Sequence, residues 1–297
     1  MTGRLFLFTL FILSGSLTCY GFRICAFNVQ SFGDSKSANA IIMNSVSRIV
    51  ARCDICLLQE VRDQKNKAIP RLLDAVNRLN NNDYDYVASV RLGRTQAYQE
   101  QYVFVYSRGR SLDKPFSCAA ILGTQKIAKE FVLIPQHTTP SNATKEIDEL
   151  YDVFVDVRKR WKIENVMFLG DFNAACGYVA KKNRKNIRLF TDPSFIWLIQ
   201  DKVDTTVKQS TDCAYDRIVV HGEPFLKTIE PFSAQPFNFP KEFHLTEAQA
   251  LEVSDHYPIE VVLKTQKSGF FTRGNKVSCL QPTLFVLNVL LLLQMII

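Results

Sequence analysis

Val166-Met167-Phe168-Leu169-Gly170-Asp171-Phe172-Asn173 runs four apolar residues into a glycine and then places two oxygen-bearing side chains one residue apart. An apolar run of this length, ended by a turn residue, reads as a buried strand over Val166–Gly170. Asp171 and Asn173 then stand just past its end. The same arrangement recurs outward along the chain. Asn28 closes an apolar run at Phe22–Asn28 and Glu60 closes one at Ile55–Glu60. Asp216 lies inside Tyr215–Val220, and Asp255-His256 opens Tyr257–Leu263. Two further runs, Tyr102–Tyr106 and Phe131–Pro135, complete the set of strands. Helical stripes lie between them, over Ala38–Ala51 (Ile41, Ile42, Val46, Ile49, Val50), Ala68–Leu79 and Ile147–Trp161. Strands alternating with helices predict an α/β layered domain.

Strand ends on one edge of such a sheet converge, which is where these folds place their sites. Any single Asp or Asn at a strand end is explained as a turn residue; so many together are not. Oxygen ligands of this kind suit Mg²⁺, Mn²⁺ or Ca²⁺. Of four histidines, His137 follows the strand Phe131–Pro135 and His256 follows Asp255. His221 and His244 have no such setting and read as structural or surface residues. Tyr98 and Glu100 share a face if the strand ending at Tyr106 begins that early. A glutamate there could orient a histidine and stabilise its charged form, as general acid–base catalysis requires.

The formal net charge of +7 invites a polyanionic partner, but Arg4, Lys267, Arg273 and Lys276 lie at the chain ends. Without them the charge is +3, too mild to identify a nucleic-acid binder. Arg4, the apolar stretch Leu5–Leu13 and the small residues Cys19 and Gly21 read as a signal peptide cleaved before Phe22. The expected organisation is a leader over 1–21, a domain over 22–264, a polar linker over 265–283 and a hydrophobic tail over 284–297. The tail is shorter than the about 20 apolar residues of a spanning helix and suits a lipid-anchor signal. Secretion, retention in the endoplasmic reticulum or anchoring at the cell surface follow as expected locations. The secretory route permits disulfides, and Asn142-Ala143-Thr144 is a glycosylation sequon. Seven cysteines outlast the leader, an odd number that leaves at least one unpaired within the chain. Cys53-Asp-Ile-Cys56 has redox or zinc spacing, but no second ligand pair lies near it. Lys181–Arg188 reads as a solvated basic run.

Gly170-Asp171-Phe172-Asn173-Ala174, Ser254-Asp255-His256-Tyr257-Pro258, Cys213-Ala214-Tyr215-Asp216-Arg217-Ile218-Val219, Leu58-Gln59-Glu60-Val61-Arg62-Asp63 and Cys25-Ala26-Phe27-Asn28 resemble, in order, the motifs of the deoxyribonuclease I family. The resemblance covers nearly all of Phe22–Leu263. Arg23–Asn28, His137-Thr138-Thr139-Pro140 and the tail are most similar to its deoxyribonuclease I-like 1 branch. The family implies two mixed β-sheets packed as a sandwich and flanked by helices, in four layers. It implies that Glu100 supports His137 and Asp216 supports His256, two histidines that exchange protons with water and the leaving 3′-oxygen. It assigns Asn28, Glu60, Asp171, Asn173 and Asp255 to divalent metal and phosphate, Arg62 and Tyr98 to the DNA minor groove, and Cys176–Cys213 to a disulfide. Minor-groove readout is degenerate, so a monomeric endonuclease of low sequence specificity is the expectation. Actin, a possible inhibitory partner, is neither implied nor excluded by these residues.

Two segments depart from the family. The stretch between Tyr106 and Phe131 is short, and Asp113 stands where a phosphate-contacting arginine is expected. Asp204-Thr205-Thr206 resembles the start of a calcium loop, but Val207, Lys208 and Gln209 replace oxygen-bearing residues. The first departure motivates a different reading, a catalytically impaired DNA- or protein-binding relative; the wider superfamily offers a third, a phosphodiesterase for lipid headgroups or nucleotides. Retention of both histidines and their carboxylates opposes the second reading. Arg62 and Tyr98 oppose the third.

Overall fold

A computed structural model describes residues 21–79, 83–95, 98–108, 121–123 and 131–264. The expected leader as far as Tyr20, the expected linker and tail from residue 265, Asp113, Cys118 and Cys279 lie outside the described residues. Strand β1 (Phe22–Phe32) pairs in parallel with β2 (Ile55–Val61), so the chain between must cross over a face of the sheet. Helices α1 (Asp34–Ala38) and α2 (Ala40–Val50) make that crossing. The apolar stripe expected over Ala38–Ala51 lies wholly in α2, a separate short helix precedes it, and Asn39 between the two is extended at ψ 115°. Its side chain accepts from the Ile41 and Ile42 N–H groups, so the asparagine ends one helix by capping the next.

Helix α3 (Ala68–Leu79) leads to β3 (Tyr84–Ala88), β4 (Leu92–Thr95) and β5 (Tyr98–Ser107). The last begins four residues before its apolar run, which puts Tyr98 and Glu100 on strand. The short β6 (Ile121–Gly123) pairs antiparallel with β7 (Phe131–Pro135), so an edge strand is present in the region that reads as shortened. A second crossover, α4 (Ala143–Trp161), joins β7 to its parallel neighbour β8 (Val166–Asp171). Then follow β9 (Phe195–Trp197), β10 (Asp216–His221), β11 (Gln235–Pro236) and β12 (Ile259–Leu263). Lys181–Asn186 is a short 3-10 turn with no buried residue, as its solvated reading expects.

One sheet has the order β11-β12-β1-β2-β5-β3 with β4 on β5, and the other β6-β7-β8-β10-β9. Alternation within strands assigns the faces. Phe22, Ile24 and Ala26 of β1, with Leu57 and Phe104, face Leu133, Met167, Leu169 and Ile218 of the other sheet. Cys25, Phe27 and Val29 turn outward onto α2 and α3. Val132, Ile134, Val166 and Phe168 turn the other way, onto Ile147, Leu150 and Phe154 of α4. The result is the expected four-layer α/β sandwich.

Cys25 and Cys53 form a disulfide, and so do Cys176 and Cys213. The second is the pair implied by the family motifs. The first joins β1 to the turn after α2 and takes one member of the CxxC pair, leaving Cys56 as a buried free thiol. Cys56 is the register partner of Cys25 on β2. Peptide mapping without reduction should recover both linked pairs. Sequence separations of 28 and 37 correspond to about 3.5–4 kcal/mol each in the chain-entropy account. Alkylation of Cys53 or Cys213 in the unreduced native chain would refute the assignment.

Candidate active site

The edges of the two sheets meet at Asp171. It ends β8 with its carboxylate buried. Asn28 of β1 reaches it from the other sheet: its amide donates to Asp171 Oδ2 at 3.2 Å and to Glu60 Oε1 at 3.0 Å. Glu60 points into the site because its backbone turns left-handed, φ 56°, at the end of β2. Two imidazoles approach the same oxygen. His137 Nε2 lies 3.7 Å from Asp171 Oδ2, and His256 Nε2 lies 3.6 Å from it.

Each imidazole is held from behind by another carboxylate. His137 Nδ1 is 3.2 Å from Glu100 Oε2, and His256 Nδ1 is 2.7 Å from Asp216 Oδ2. Burial opposes charge on His137, but Glu100, Asp171 and Glu60 outweigh it and hold its pKa up at about 9. Burial likewise opposes charge on His256, and Asp216 and Asp171 raise its pKa well above the usual value. Burial pushes the Asp216 carboxyl up, so this pair keeps its protons to higher pH than separated groups would. Glu100 is driven up by burial but ends below its usual value, because His137 and Arg62 both pair with it.

Arg62 donates to Glu100 Oε1 at 2.7 Å and stacks 4.1 Å over the Tyr98 ring. Tyr98 is half exposed, at 52%. The expected DNA-contacting pair is thus one surface unit beside His137. Of the expected metal and phosphate residues, Asn28, Glu60 and Asp171 come together. Asn173 joins through its backbone N–H, which donates to Asp171 Oδ1 at 2.9 Å, while its side chain turns to Thr138 O. Asp255 precedes His256 and acts on it and on Lys36 through charge. Asp171, Asp216 and His256 also offer ligand atoms within 4.8 Å of one another. The Asp171 and Glu60 carboxylates are hard oxygen donors that fit a divalent cation, and one Asn28 amide already bridges an oxygen of each.

The Cys176–Cys213 disulfide ties the loop after Asp171 to the segment leading into Asp216. Thr205 Oγ1 accepts from Asp216 N at 3.1 Å. Asp204 Oδ1 accepts from Thr206 N and Cys213 N at 3.0 Å each, so the calcium-like loop is held by its own donors. Three contributors had weaker signals in sequence. Ser254 donates to Asn28 O at 2.6 Å and accepts from His256 N at 3.0 Å. Lys36 donates to Val29 O and Val253 O, and burial brings its pKa down to about 8 despite Asp255 and Glu60. Arg217, fully buried, holds the carbonyls of Ala174, Ile199 and Ala214; its signal was a charge inside an apolar strand. Asn142 is exposed and bonds Glu146. His221 packs on Phe154, and its Nδ1–H donates to Glu164 O at 2.6 Å, away from the site.

A histidine pKa raised by folding stabilises the fold below its unfolded value and loses that contribution as pH rises through the folded one. For His137 the window runs from 6.5 to about 9, and His256 acts in the same direction. Urea unfolding of the chelator-treated chain should therefore show stability falling across this window, with a smaller fall in His137→Ala. A flat profile would contradict the charged ground state.

The Endonuclease/Exonuclease/phosphatase family matches residues 25–256. The chain is 45% identical over 289 residues to deoxyribonuclease gamma of Rattus norvegicus, covering 90% of this chain and 91% of that one. It is 43% identical over 258 residues to deoxyribonuclease-1-like 1 of Cricetulus griseus, covering 82% and 84%. These identities lie side by side, so the similarity is to the family as a whole. In structure it resembles an endonuclease/exonuclease/phosphatase family protein from Leptotrichia buccalis C-1013-b, with a TM-score of 0.58 at 15% identity over 82% of this chain and 99% of that one, a likeness of fold. By the family match and these sequence identities, the chain belongs to the deoxyribonuclease I family within the Endonuclease/Exonuclease/phosphatase family.

Proposed function

We propose that the chain is a divalent-metal-dependent endonuclease that hydrolyses DNA phosphodiester bonds with little sequence specificity. The observation that carries this reading is the convergence of two carboxylate-backed imidazoles on Asp171 Oδ2, at 3.6 and 3.7 Å. In-line displacement at phosphorus needs a base for the water and an acid for the leaving oxygen, on opposite sides of one phosphate. His137 with Glu100 and His256 with Asp216 would supply such a pair once one of the two imidazoles has lost its proton, which positive charge bound at the Asp171 carboxylate would favour. Relatives named deoxyribonucleases, 45% and 42% identical, support DNA as substrate.

Glu60, Asp171 and Asn28 would hold the cation, with Asn173 and Asp255 beside it. Mg²⁺, Ca²⁺ or Mn²⁺ all suit oxygen donors. Bound there, it neutralises negative charge on the non-bridging phosphate oxygens. Arg62 and Tyr98 offer a cation and a ring edge to the minor groove, which accounts for low specificity. His137→Ala and His256→Ala should each lower plasmid nicking by roughly 10²–10⁴-fold without loss of cooperative unfolding. EDTA should abolish nicking and Mg²⁺ restore it. Near wild-type nicking by either purified variant removes that histidine from the mechanism. Hydrolysis of nucleotides or lipid headgroups with intact DNA would favour a different phosphodiesterase.

The chain works, in this reading, as a monomer of the secretory pathway, secreted, retained in the endoplasmic reticulum or lipid-anchored. Two disulfides support an oxidising compartment, and the apolar run from Leu284 to Ile297 supports an anchor signal. Expressed in animal cells, the chain should carry a glycan on Asn142 that peptide N-glycosidase removes. A phosphatidylinositol-specific phospholipase should release nuclease from intact cells. Surface protein that resists release and keeps Ile297 would refute the anchor.

A further inference from the structure

Strands β7 and β8 run parallel, and their ladder continues beyond both. Gln136 N–H donates to Leu169 O at 3.1 Å, and Thr138 N–H donates to Asp171 O at 3.0 Å. In a regular parallel ladder the rung between these joins Asp171 N–H to the Gln136 carbonyl. Here that rung is a side chain. Asp171 N–H donates to Gln59 Oε1 at 2.9 Å, and Gln59 Nε2 donates to Gln136 O at 2.5 Å. Gln59 comes from β2, in the other sheet, and is fully buried.

Gly170 leaves the room for it. A Cβ at 170 would lie 2.5 Å from both Gln59 Nε2 and Gln136 O, and the backbone φ of 129° is itself one that only glycine adopts readily. The peptide group that carries the Gln136 carbonyl also carries the His137 N–H. That N–H donates to Tyr102 Oη at 2.9 Å, and Tyr102 stands on β5, also in the other sheet. One peptide unit is therefore gripped at both ends by side chains from across the sandwich. The inserted amide holds two strand ends apart at the level of the site and leaves no backbone group unsatisfied.

We propose that Gln59 and Tyr102 are positioning residues that set the placement of His137 relative to Asp171, acting through the Gln136–His137 peptide. The inference rests on His137 being a proton carrier of the reaction. Gln59 is fully buried and Tyr102 is half-buried with its hydroxyl on the His137 N–H, so their effect should fall on kcat more than on DNA binding. A displacement of 1 Å can cost about 10²-fold in rate.

The test uses the full chain with Tyr102→Phe and Gln59→Met. Tyr102→Phe removes one hydroxyl and should lower kcat about tenfold with KM changed less than about twofold. Gln59→Met removes both amide bonds and should lower kcat further; if it fails to fold, Tyr102→Phe carries the test. In a His137→Ala background Tyr102→Phe should not lower kcat again, because its hydroxyl acts through the missing ring; Gln59 also holds Asp171 N–H, so this arm uses Tyr102→Phe alone. An additional loss there would reveal a general structural role and overturn the proposal. Histidine-ring NMR without substrate gives a readout independent of cleavage. The His137 resonance should shift or broaden in both variants while that of His256 stays in place. An unmoved His137 signal overturns the proposal whatever the activity. A perturbed His137 signal with no cleavage by the wild-type chain would refute the nuclease reading and leave the positioning role standing.

Discussion

The site depends on one hydrogen bond between sheets. Asn28 on β1 and Asp171 on β8 are 143 residues apart in sequence and 3.2 Å apart in space. Neither sheet alone assembles the chemistry: Asn28, Glu60 and Glu100 come from one, His137, Asp171 and Asp216 from the other. The apolar layer between the sheets brings their edges into line, and the buried polar contact fixes how far they slide. Apolar packing tolerates small shifts. A buried donor facing a carboxylate does not, since a shifted pair would leave both groups desolvated and unpaired.

Carboxylates dominate this edge, and they explain its second property. Asp171, Glu60, Glu100 and Asp216 would repel one another and any phosphate. The imidazoles relieve this by taking protons, which is why both histidines are driven upward despite burial. Arg62 relieves it again on the outer side of Glu100. These three cations offset much of the carboxylate charge, and a bound divalent cation would complete the balance before a phosphate enters.

Much of this was legible in the sequence because strand ends have a local signature. Asp171 and Asn173 after Val166–Gly170, and His256 after Asp255, stand where apolar runs stop. The pairing of Glu100 with His137 was less so; it came from family motifs, and β5 had to begin at Tyr98 for it to hold. What sequence hid was hidden for physical reasons. Asn39 lies within the expected helix Ala38–Ala51, and it is its extended backbone with its bonds to the Ile41 and Ile42 N–H groups that makes it the cap of α2. Cys53 pairs with Cys25 rather than with its near neighbour Cys56, because sequence spacing says nothing about which strand lies alongside. Gln59 and Arg217 are polar residues inside apolar strands, where pattern alone reads them as noise. Most of their partners are backbone groups, Gln136 O and Asp171 N–H for Gln59 and the Ala174, Ile199 and Ala214 carbonyls for Arg217, which no side-chain motif announces; Arg217 also pairs with Asp201 at 3.0 Å.

The pairing of β1 with β12 sets which way the molecule faces. Phe22 is opposite Leu263, so both ends of the described domain leave side by side. Asn28 and His256 lie toward the other ends of these same strands. From Phe22 to Asn28, β1 spans roughly 20 Å at strand rise. Anything attached before Phe22 or after Lys264 therefore starts from the back of the sandwich. A fusion partner, an immobilising tag or a surface tether joined at Phe22 or Lys264 grips the domain at the strand ends away from the histidines.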